Sequence, residues 1–303
     1  MKRTELKLNL DWTPNINHIG FFVAKKLGYY KEVGIDIDIL DPSVDNYQTT
    51  PAKNLELGKT DFALCPLESV ISFRSKKNPI NIFAIAAILQ NDLSAIAVKA
   101  KNIKSPKDLD GKTYASYGAR YEDLIVKQMI KNDKGKGNIS ISYPPKLGIW
   151  NTLLNNNYDS TWVFENWEGV DVKKIDGSLT YFRMRDYEIP YSYSPVIIAE
   201  ETFAKINSDL VKNFLKATKK GYLDSINYEK KTTEILAEYV PEHEKNINLI
   251  DALKLTNGSF TRNGVWGKMD ETKLKRFIDW LINHNIIDNN TIYKNLFTNR
   301  FLR

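Results

Sequence analysis

The chain opens on an alternating pattern. Leu6, Leu8 and Leu10 repeat every second residue, the period of a strand with one buried face. Ile19, Phe22, Val23 and Leu27 follow at helical spacing, Gly28 stops that helix, and Ile35, Ile37 and Ile39 alternate again. The pattern predicts a helix from Pro51 to Leu57 ending at Gly58, and a short buried strand from Asp61 to Leu64. A helix from Ser69 to Lys76 and an apolar β-rich run from Ile80 to Leu89 come next. Strands separated by helices of this length predict βαβ units around a parallel sheet.

A second cycle of the same kind begins after Asp92. Strands are expected at Ile96–Val98, Lys112–Ser116, Ile139–Ser142 and Ser160–Phe164, with helices at Ser105–Leu109, Tyr121–Asn132 and Gly148–Asn155. Pro195–Ala199 reads as a strand returning to the first lobe, and from Glu200 the pattern is helical, with breaks at Pro241, Gly258 and Gly264. The expectation is therefore an α/β chain of two lobes with a ligand cleft between them, the architecture of a type II periplasmic binding protein. Residues 1–93 form the first part of lobe 1, 94–194 form lobe 2, and 195–303 return to lobe 1 with the C-terminal helices. The crossings fall near Asp92–Val98 and Tyr193–Ala199.

Composition narrows the picture only a little. The formal charge of +6 invites a nucleic-acid reading, but the basic residues come in short separate runs. Lys76-Lys77, Lys173-Lys174, Lys219-Lys220 and Lys230-Lys231 read as solvated helix ends and loops, and no basic helix with interleaved aromatics is present. Nucleic acid is thus not expected as a partner. Cys65 is the only cysteine, which rules out an intrachain disulfide and a two-cysteine metal or redox motif; no metal site is expected. The opening MKRTELKLNL has basic residues without an apolar stretch behind them. No apolar run reaches the roughly 18 residues of a membrane helix. The chain as written reads as cytoplasmic, or as extracytoplasmic if a signal was removed. A homodimer is compatible with the sequence.

Several segments are familiar. The stretch Asn9-Leu10-Asp11-Trp12-Thr13-Pro14-Asn15-Ile16-Asn17-His18, the run Gly28-Tyr29-Tyr30-Lys31-Glu32-Val33-Gly34-Ile35-Asp36, the turn Gly58-Lys59-Thr60-Asp61-Phe62, and the segment from Ile103 to Lys112 together resemble the thiamine-pyrimidine branch of the type II solute-binding superfamily. That branch holds binding proteins for formylaminopyrimidine-like thiamine precursors. It also holds a synthase that makes hydroxymethylpyrimidine phosphate from pyridoxal phosphate and one of its own histidines. The resemblance implies a small aminopyrimidine as ligand, no cofactor on the binding-protein side, and an ABC-transporter permease as partner if the chain serves uptake.

The departures bear on the synthase side. The resemblance places the aldimine lysine at Cys65 and the donor histidine at Ser69, and the region of the synthase's cysteine motif reads Ile189-Pro190-Tyr191-Ser192-Tyr193-Ser194. Pyridoxal phosphate is expected only if the enzyme alternative holds.

Ligands of such sheets sit beyond the carboxyl ends of the strands, so the loops after strands supply the candidates. Asp11 and Trp12 follow the first strand, and the indole either faces a flat ligand or plugs the strand end. His18 either hydrogen-bonds the ligand or caps its own helix. Cys65, Glu68 and Ser69 follow another strand; Ser69 can equally cap a helix, and Cys65 can be a small buried hydrophobe. Ser116, Gly118, Ala119 and Arg120 join a strand to a helix, and N–H groups at a helix start beside an arginine make an anion candidate. The richest cluster is Trp162, Glu165 and Trp167. A carboxylate pairs with the amino group and protonated ring nitrogen of an aminopyrimidine, and Glu165 is the first choice for that, with Trp162 or Trp167 as a stacking wall and Glu168 facing either way. The segment Tyr187 to Tyr193 is expected to add an aromatic wall through Tyr191 or Tyr193.

The reading is a binder of a thiamine-type aminopyrimidine in an interlobe cleft. The alternatives are a synthase-like enzyme and a receptor for another small solute, such as nitrate or an alkanesulfonate.

Overall fold

The computed structural model describes residues 3–76, 78–172, 179–288 and 295–303. Lys77 and the pair Lys173-Lys174 lie outside the described residues. In chain order the strands are β1 (Thr4–Asn9), β2 (Ile35–Leu40), β3 (Phe62–Cys65), β4 (Ile82–Ala87), β5 (Ser94–Val98), β6 (Thr113–Ala115), β7 (Ser140–Ser142), β8 (Ser160–Phe164), β9 (Thr180–Arg183) and β10 (Val196–Glu200).

Contacts divide the chain into two units. The first comprises Met1–Asp92, Tyr193–Asp270 and Ile292–Arg303, and the second Leu93–Ser192 and Glu271–Thr291. Glu271–Thr291, which the sequence reading assigned to lobe 1 with the rest of the C-terminal part, belongs with the second unit.

In the first unit the sheet order is β2-β1-β3-β10-β4. β1 runs parallel to β2 and β3, while β10 runs antiparallel to β3 and β4. Val196, at the start of β10, pairs with Cys65 and Ala87. The carboxyl ends of β1 to β4 therefore share one edge with the start of β10. All positions of β3 and β4 are buried, as expected for strands covered on both faces. The helix Ser208–Asn227 lies over this sheet because Val211, Phe214, Leu215, Thr218 and Tyr222 recur at helical spacing and are buried. Phe214 stacks on Phe62 of β3 at 4.1 Å and on Tyr30 at 5.8 Å between ring centroids. The helix Ile19–Lys26 meets it through two glycines. A Cβ on Gly221 would overlap the Gly20 carbonyl oxygen, and one on Gly20 would overlap the Tyr222 ring. The Tyr222 hydroxyl then donates to the Asn17 carbonyl at 2.7 Å, fixing where that first helix starts.

The second unit has sheet order β7-β6-β8-β5-β9. β6 is parallel to β7 and β8, and β5 is antiparallel to β8 and β9. Ser94 pairs with Phe164, and Ala95 with Arg183, so the ends of β6, β8 and β9 lie along one edge. Ala97, Leu153 and Val163 form a core with Trp150, Leu179 and Tyr181 packed against it.

Two local features differ from the sequence pattern. β9 had no predicted counterpart. The helix Leu249–Phe260 runs straight through Gly258, and the break follows it as a small hairpin of Thr261–Arg262 with Val265–Trp266. Among the described residues no helix is long and apolar enough to cross a membrane.

Candidate functional site

The edge where β1, β2 and β3 end in the first unit brings the best-built cluster together. Asn9 closes β1, its amide donating to the Leu10 and Leu40 carbonyls at 3.2 and 3.3 Å while Asn54 donates to its oxygen at 2.7 Å. The chain then turns outward at Asp11. Asn15 begins a reciprocal cap: its side-chain oxygen accepts from the Asn17 N–H at 2.9 Å, and its own N–H donates to His18 Nδ1 at 3.2 Å. Since Nδ1 accepts, the ring proton is assigned to Nε2, which donates to Asp11 Oδ1 at 2.8 Å. His18 is fully buried. Of the two roles expected for it, the structure assigns the cap, and the ring acts by orienting Asp11.

Around Asp11 stand Trp12, Tyr47, Cys65, Glu68 and Ser69. Tyr47 was missed by sequence reasoning. It follows β2 at a left-handed position, φ 59°, donates its hydroxyl to the Asp11 carbonyl at 2.8 Å and packs its ring 5.5 Å from Trp12. Burial, and then Asp11 and Cys65 nearby, push its phenol up. Only the positive-φ turn residue Asn46 beside it hints at its placement in the sequence. The Cys65 thiol is also pushed well up, by burial first and then by the carboxylates of Asp11 and Glu68, against a hydrogen bond with Ser69. Both causes favour the protonated thiol over the thiolate. Glu68 is buried and Ser69 half-buried at the start of the helix Leu67–Arg74. Tyr193 reaches the same edge, its carbonyl accepting from the Leu67 N–H at 3.0 Å. Its hydroxyl accepts from the Asp270 N–H at 2.8 Å, and its ring is 1% exposed, so it packs within the unit. The edge offers two carboxylates and two half-exposed rings, a set chemically able to accept N–H donors beside a flat face.

The second unit treats its candidates differently. Glu165 is held by Arg183 from the end of β9, with Nε to Oε1 at 2.6 Å and Nη2 to Oε2 at 2.5 Å. Glu168 caps the end of β8 by accepting from the Phe164 N–H at 2.9 Å. Trp167 is 2% exposed and belongs to the interior, so it is no open stacking wall. Trp162 remains half-buried, 5.3 Å from Tyr191, which in turn packs on Phe277 at 5.4 Å.

The loop after β6 has the shape of an anion cradle, with Gly118 at φ 62° and Gly118, Ala119 and Arg120 exposed. Three of its backbone donors are engaged within the loop, while the Arg120 side chain is exposed. The Tyr117 and Ala119 N–H groups donate to Glu122 Oε1 and Oε2 at 3.1 and 2.9 Å, and the Gly118 N–H donates to Ser116 Oγ at 2.9 Å. Ser116 Oγ in turn donates to Asp123 at 2.6 Å. Among the described residues no group of three or more His, Cys, Asp or Glu is arranged to hold a metal ion.

The model of the family described as NMT1/THI5 like matches residues 15–231, well over half of the chain. The chain belongs to the NMT1/THI5-like family. Among its relatives, the formylaminopyrimidine-binding protein of Halalkalibacterium halodurans is 24% identical over 97% of this chain and 89% of its own length. The 4-amino-5-hydroxymethyl-2-methylpyrimidine phosphate synthase of Legionella pneumophila is 23% identical over 99% of this chain and 93% of its own length. Among solved structures, a ligand-binding component of an ABC-type import system from Staphylococcus aureus superposes with a TM-score of 0.74 at 15% identity, covering 99% of this chain and 98% of that one. The fold is that of periplasmic binding proteins.

Pyridoxal phosphate, which the resemblance implies for the synthase side of the NMT1/THI5-like family, does not fit the residues present. A buried thiol at Cys65 stands where the resemblance implies a lysine amine, and two N–H groups of the loop that would hold a phosphate are taken by Glu122.

Proposed function

We propose that the chain binds a thiamine-type aminopyrimidine precursor, hydroxymethylpyrimidine or a formylaminopyrimidine, without transforming it. The observation that carries this reading is the Asp11 carboxylate, oriented by His18 at 2.8 Å and flanked by the Trp12 and Tyr47 rings. A half-exposed indole gives a face for the heteroaromatic ring, worth about 1 kcal/mol beyond area burial. The Asp11 carboxylate accepts from the exocyclic amino group, and from the neighbouring ring nitrogen when that is protonated. The neutral Cys65 thiol adds a soft wall without competing charge. The likeness to a formylaminopyrimidine-binding protein along nearly the whole chain supports the same reading. In an uptake role the partner is an ABC-transporter permease and the chain works outside the cytoplasm.

The likeness to a pyrimidine phosphate synthase keeps an enzyme as the second reading. It requires an amine nucleophile at a place other than position 65. A receptor for nitrate or an alkanesulfonate, the remaining alternative, is disfavoured by Asp11 and Glu68, since an anion is repelled by fixed carboxylates.

Isothermal titration with hydroxymethylpyrimidine, formylaminopyrimidine, thiamine, nitrate and pyridoxal phosphate tests the choice. A pyrimidine at 100 times its dissociation constant stabilises the fold by ~2.7 kcal/mol, so a thermal shift checks the same panel. Binding of a pyrimidine with loss in Asp11→Asn supports the proposal. Tight pyridoxal phosphate, with a visible or near-ultraviolet aldimine band, sinks it.

A further inference from the structure

Asparagine is followed by glycine at two places in the chain, Asn257-Gly258 and Asn263-Gly264. Both steps lie in the first unit, and the fold treats them in opposite ways. Asn257 is half-buried inside the helix Leu249–Phe260, and its side-chain nitrogen donates to Glu229 Oε1 at 2.8 Å. Asn263 and Gly264 form the loop between Arg262 and Val265 of the hairpin, both exposed and both left-handed, at φ 52° and 74°. An asparagine-glycine pair suits a two-residue loop that needs positive φ at both positions. The strands beside it are only two residues each, Thr261–Arg262 and Val265–Trp266, so the ladder closing the turn is short and opens readily. An added Cβ would meet nothing within 4 Å at Gly258 or at Gly264. Backbone conformation, rather than crowding, therefore separates the two steps.

We infer that Asn263 is a site of spontaneous deamidation, from which the helix protects Asn257. In this reaction the backbone nitrogen of Gly264 attacks the side-chain carbonyl carbon of Asn263. The new C–N bond closes a five-membered imide, the bond to Nδ2 breaks, and the displaced nitrogen takes up the amide proton and leaves as ammonia. Water then opens the imide at either carbonyl, leaving aspartate or isoaspartate at 263. The net change is amide and water to acid and ammonia. Glycine presents no Cβ against the ring closure, so rotation of the Asn263 backbone and side chain controls it. In the helix that rotation is locked, because the Gly258 N–H is a rung of the ladder to the residue four back and Glu229 holds the Asn257 amide. In the hairpin it requires only that a turn opens. The product places a new carboxylate next to Arg262, whose guanidinium donates to Asp270 at 3.1 Å, with both side chains exposed. It thus competes with Asp270 for that cation and lowers the formal charge by one from +6. Isoaspartate also lengthens the backbone of the loop, which the pairing of Arg262 with Val265 and of Thr261 with Trp266 leaves no room for.

The test ages the full chain at pH 8 and digests it with trypsin. Cuts after Lys254, Arg262 and Lys268 put Asn257 and Asn263 on separate peptides, 255–262 and 263–268. Mass spectrometry reads the fraction of each converted from amide to acid, against an unaged sample digested alongside. In the folded chain the 263–268 peptide is expected to convert at least about tenfold faster than the 255–262 peptide, and in urea the gap is expected to close. Comparable rates in the folded chain overturn the inference, as does a gap that persists in urea, which traces the difference to local sequence. Asn263→Gly keeps a loop of the same kind and is expected to lose most of the acidic species that ion exchange resolves in the aged wild type. An undiminished acidic species from folded Asn263→Gly overturns the assignment to Asn263.

Discussion

Arg183 grips Glu165 at two points, Nε on one carboxylate oxygen and Nη2 on the other. The pair joins the ends of β8 and β9, and its fork geometry uses both faces that Glu165 would present to an amidine-like ligand. A ligand seeking this carboxylate must first displace the guanidinium. Glu165→Gln is therefore expected to weaken pyrimidine binding less than Asp11→Asn does, measured by titration calorimetry. Since the Arg183 and Glu165 side chains are 38% and 25% exposed, the stability loss is expected to stay within about 1 kcal/mol. A larger affinity loss from Glu165→Gln than from Asp11→Asn would make Glu165 the first partner of the ligand's amino group.

His18 joins the Asn15 N–H to the Asp11 carboxylate from inside the first unit. His18→Ala removes a buried ring and leaves both groups without it, so a loss of about 3 kcal/mol is expected. The check is the urea midpoint at constant m-value. A loss under about 1 kcal/mol would show that the loop holds Asp11 without the imidazole.

Two glycines in helices are expected to answer alanine with opposite signs. Gly221→Ala drives a methyl into the Gly20 carbonyl oxygen and is expected to cost about 1–3 kcal/mol. Gly258 sits exposed within the helix Leu249–Phe260 with nothing within 4 Å of an added Cβ. Gly258→Ala is expected to gain roughly 0.5–1 kcal/mol. Thermal melts of both variants report the signs directly, and a stabilised Gly221→Ala would contradict the close helix contact.

The Cys65 thiol, neutral at ordinary pH because burial and the neighbouring carboxylates push it up, is expected to resist alkylation. Iodoacetamide at pH 8 should label the folded protein at least about tenfold more slowly than the urea-unfolded chain. Saturating hydroxymethylpyrimidine should slow it further. Equal rates would mean that the thiol is open and ionised in the native state.

Glu201 carries an acid dependence with named partners. Lys205 at 2.5 Å, followed by Arg74 at 3.4 Å, holds its carboxyl below the usual 4.5, against the opposing effect of burial. A depressed carboxylate contributes stability that is present above the unfolded value and disappears as the pH falls through the folded one. Glu201→Gln is expected to be less stable than wild type at pH 7 and to converge with it as the pH falls below 4.5. Parallel stability curves down to acid would remove Glu201 from that account.

Much of the architecture was legible because its signals are local. The alternation of Leu6, Leu8 and Leu10, and of Ile35, Ile37 and Ile39, marks β1 and β2. The buried run after Gly58 similarly marks β3. β9 was hidden because only four residues carry it, Thr180–Arg183, and their burial alternates weakly. With β9 unseen, Arg183 had no place, and Glu165 looked open. The candidate residues at strand ends were readable from topology alone, but their partners were not. Whether His18 faces a ligand or a cap, and whether an N–H cradle is vacant or filled by Glu122, depends on residues that pair across turns rather than along a period. Tyr47 escaped for the same reason, being aimed at Asp11 from another loop.

The sheet of the first unit places β10 between β3 and β4, although the whole of β5 to β9 is translated between β4 and β10. On the ribosome, β4 therefore emerges without the neighbour that joins it to β3, and it stays apolar and unpaired until residue 200 has been made. β5 to β9 form a sheet from consecutive chain and can close first. Synthesis thus leaves a fully apolar strand waiting while a later sheet completes, and this interval is when the nascent chain is most exposed to aggregation or most in need of a chaperone.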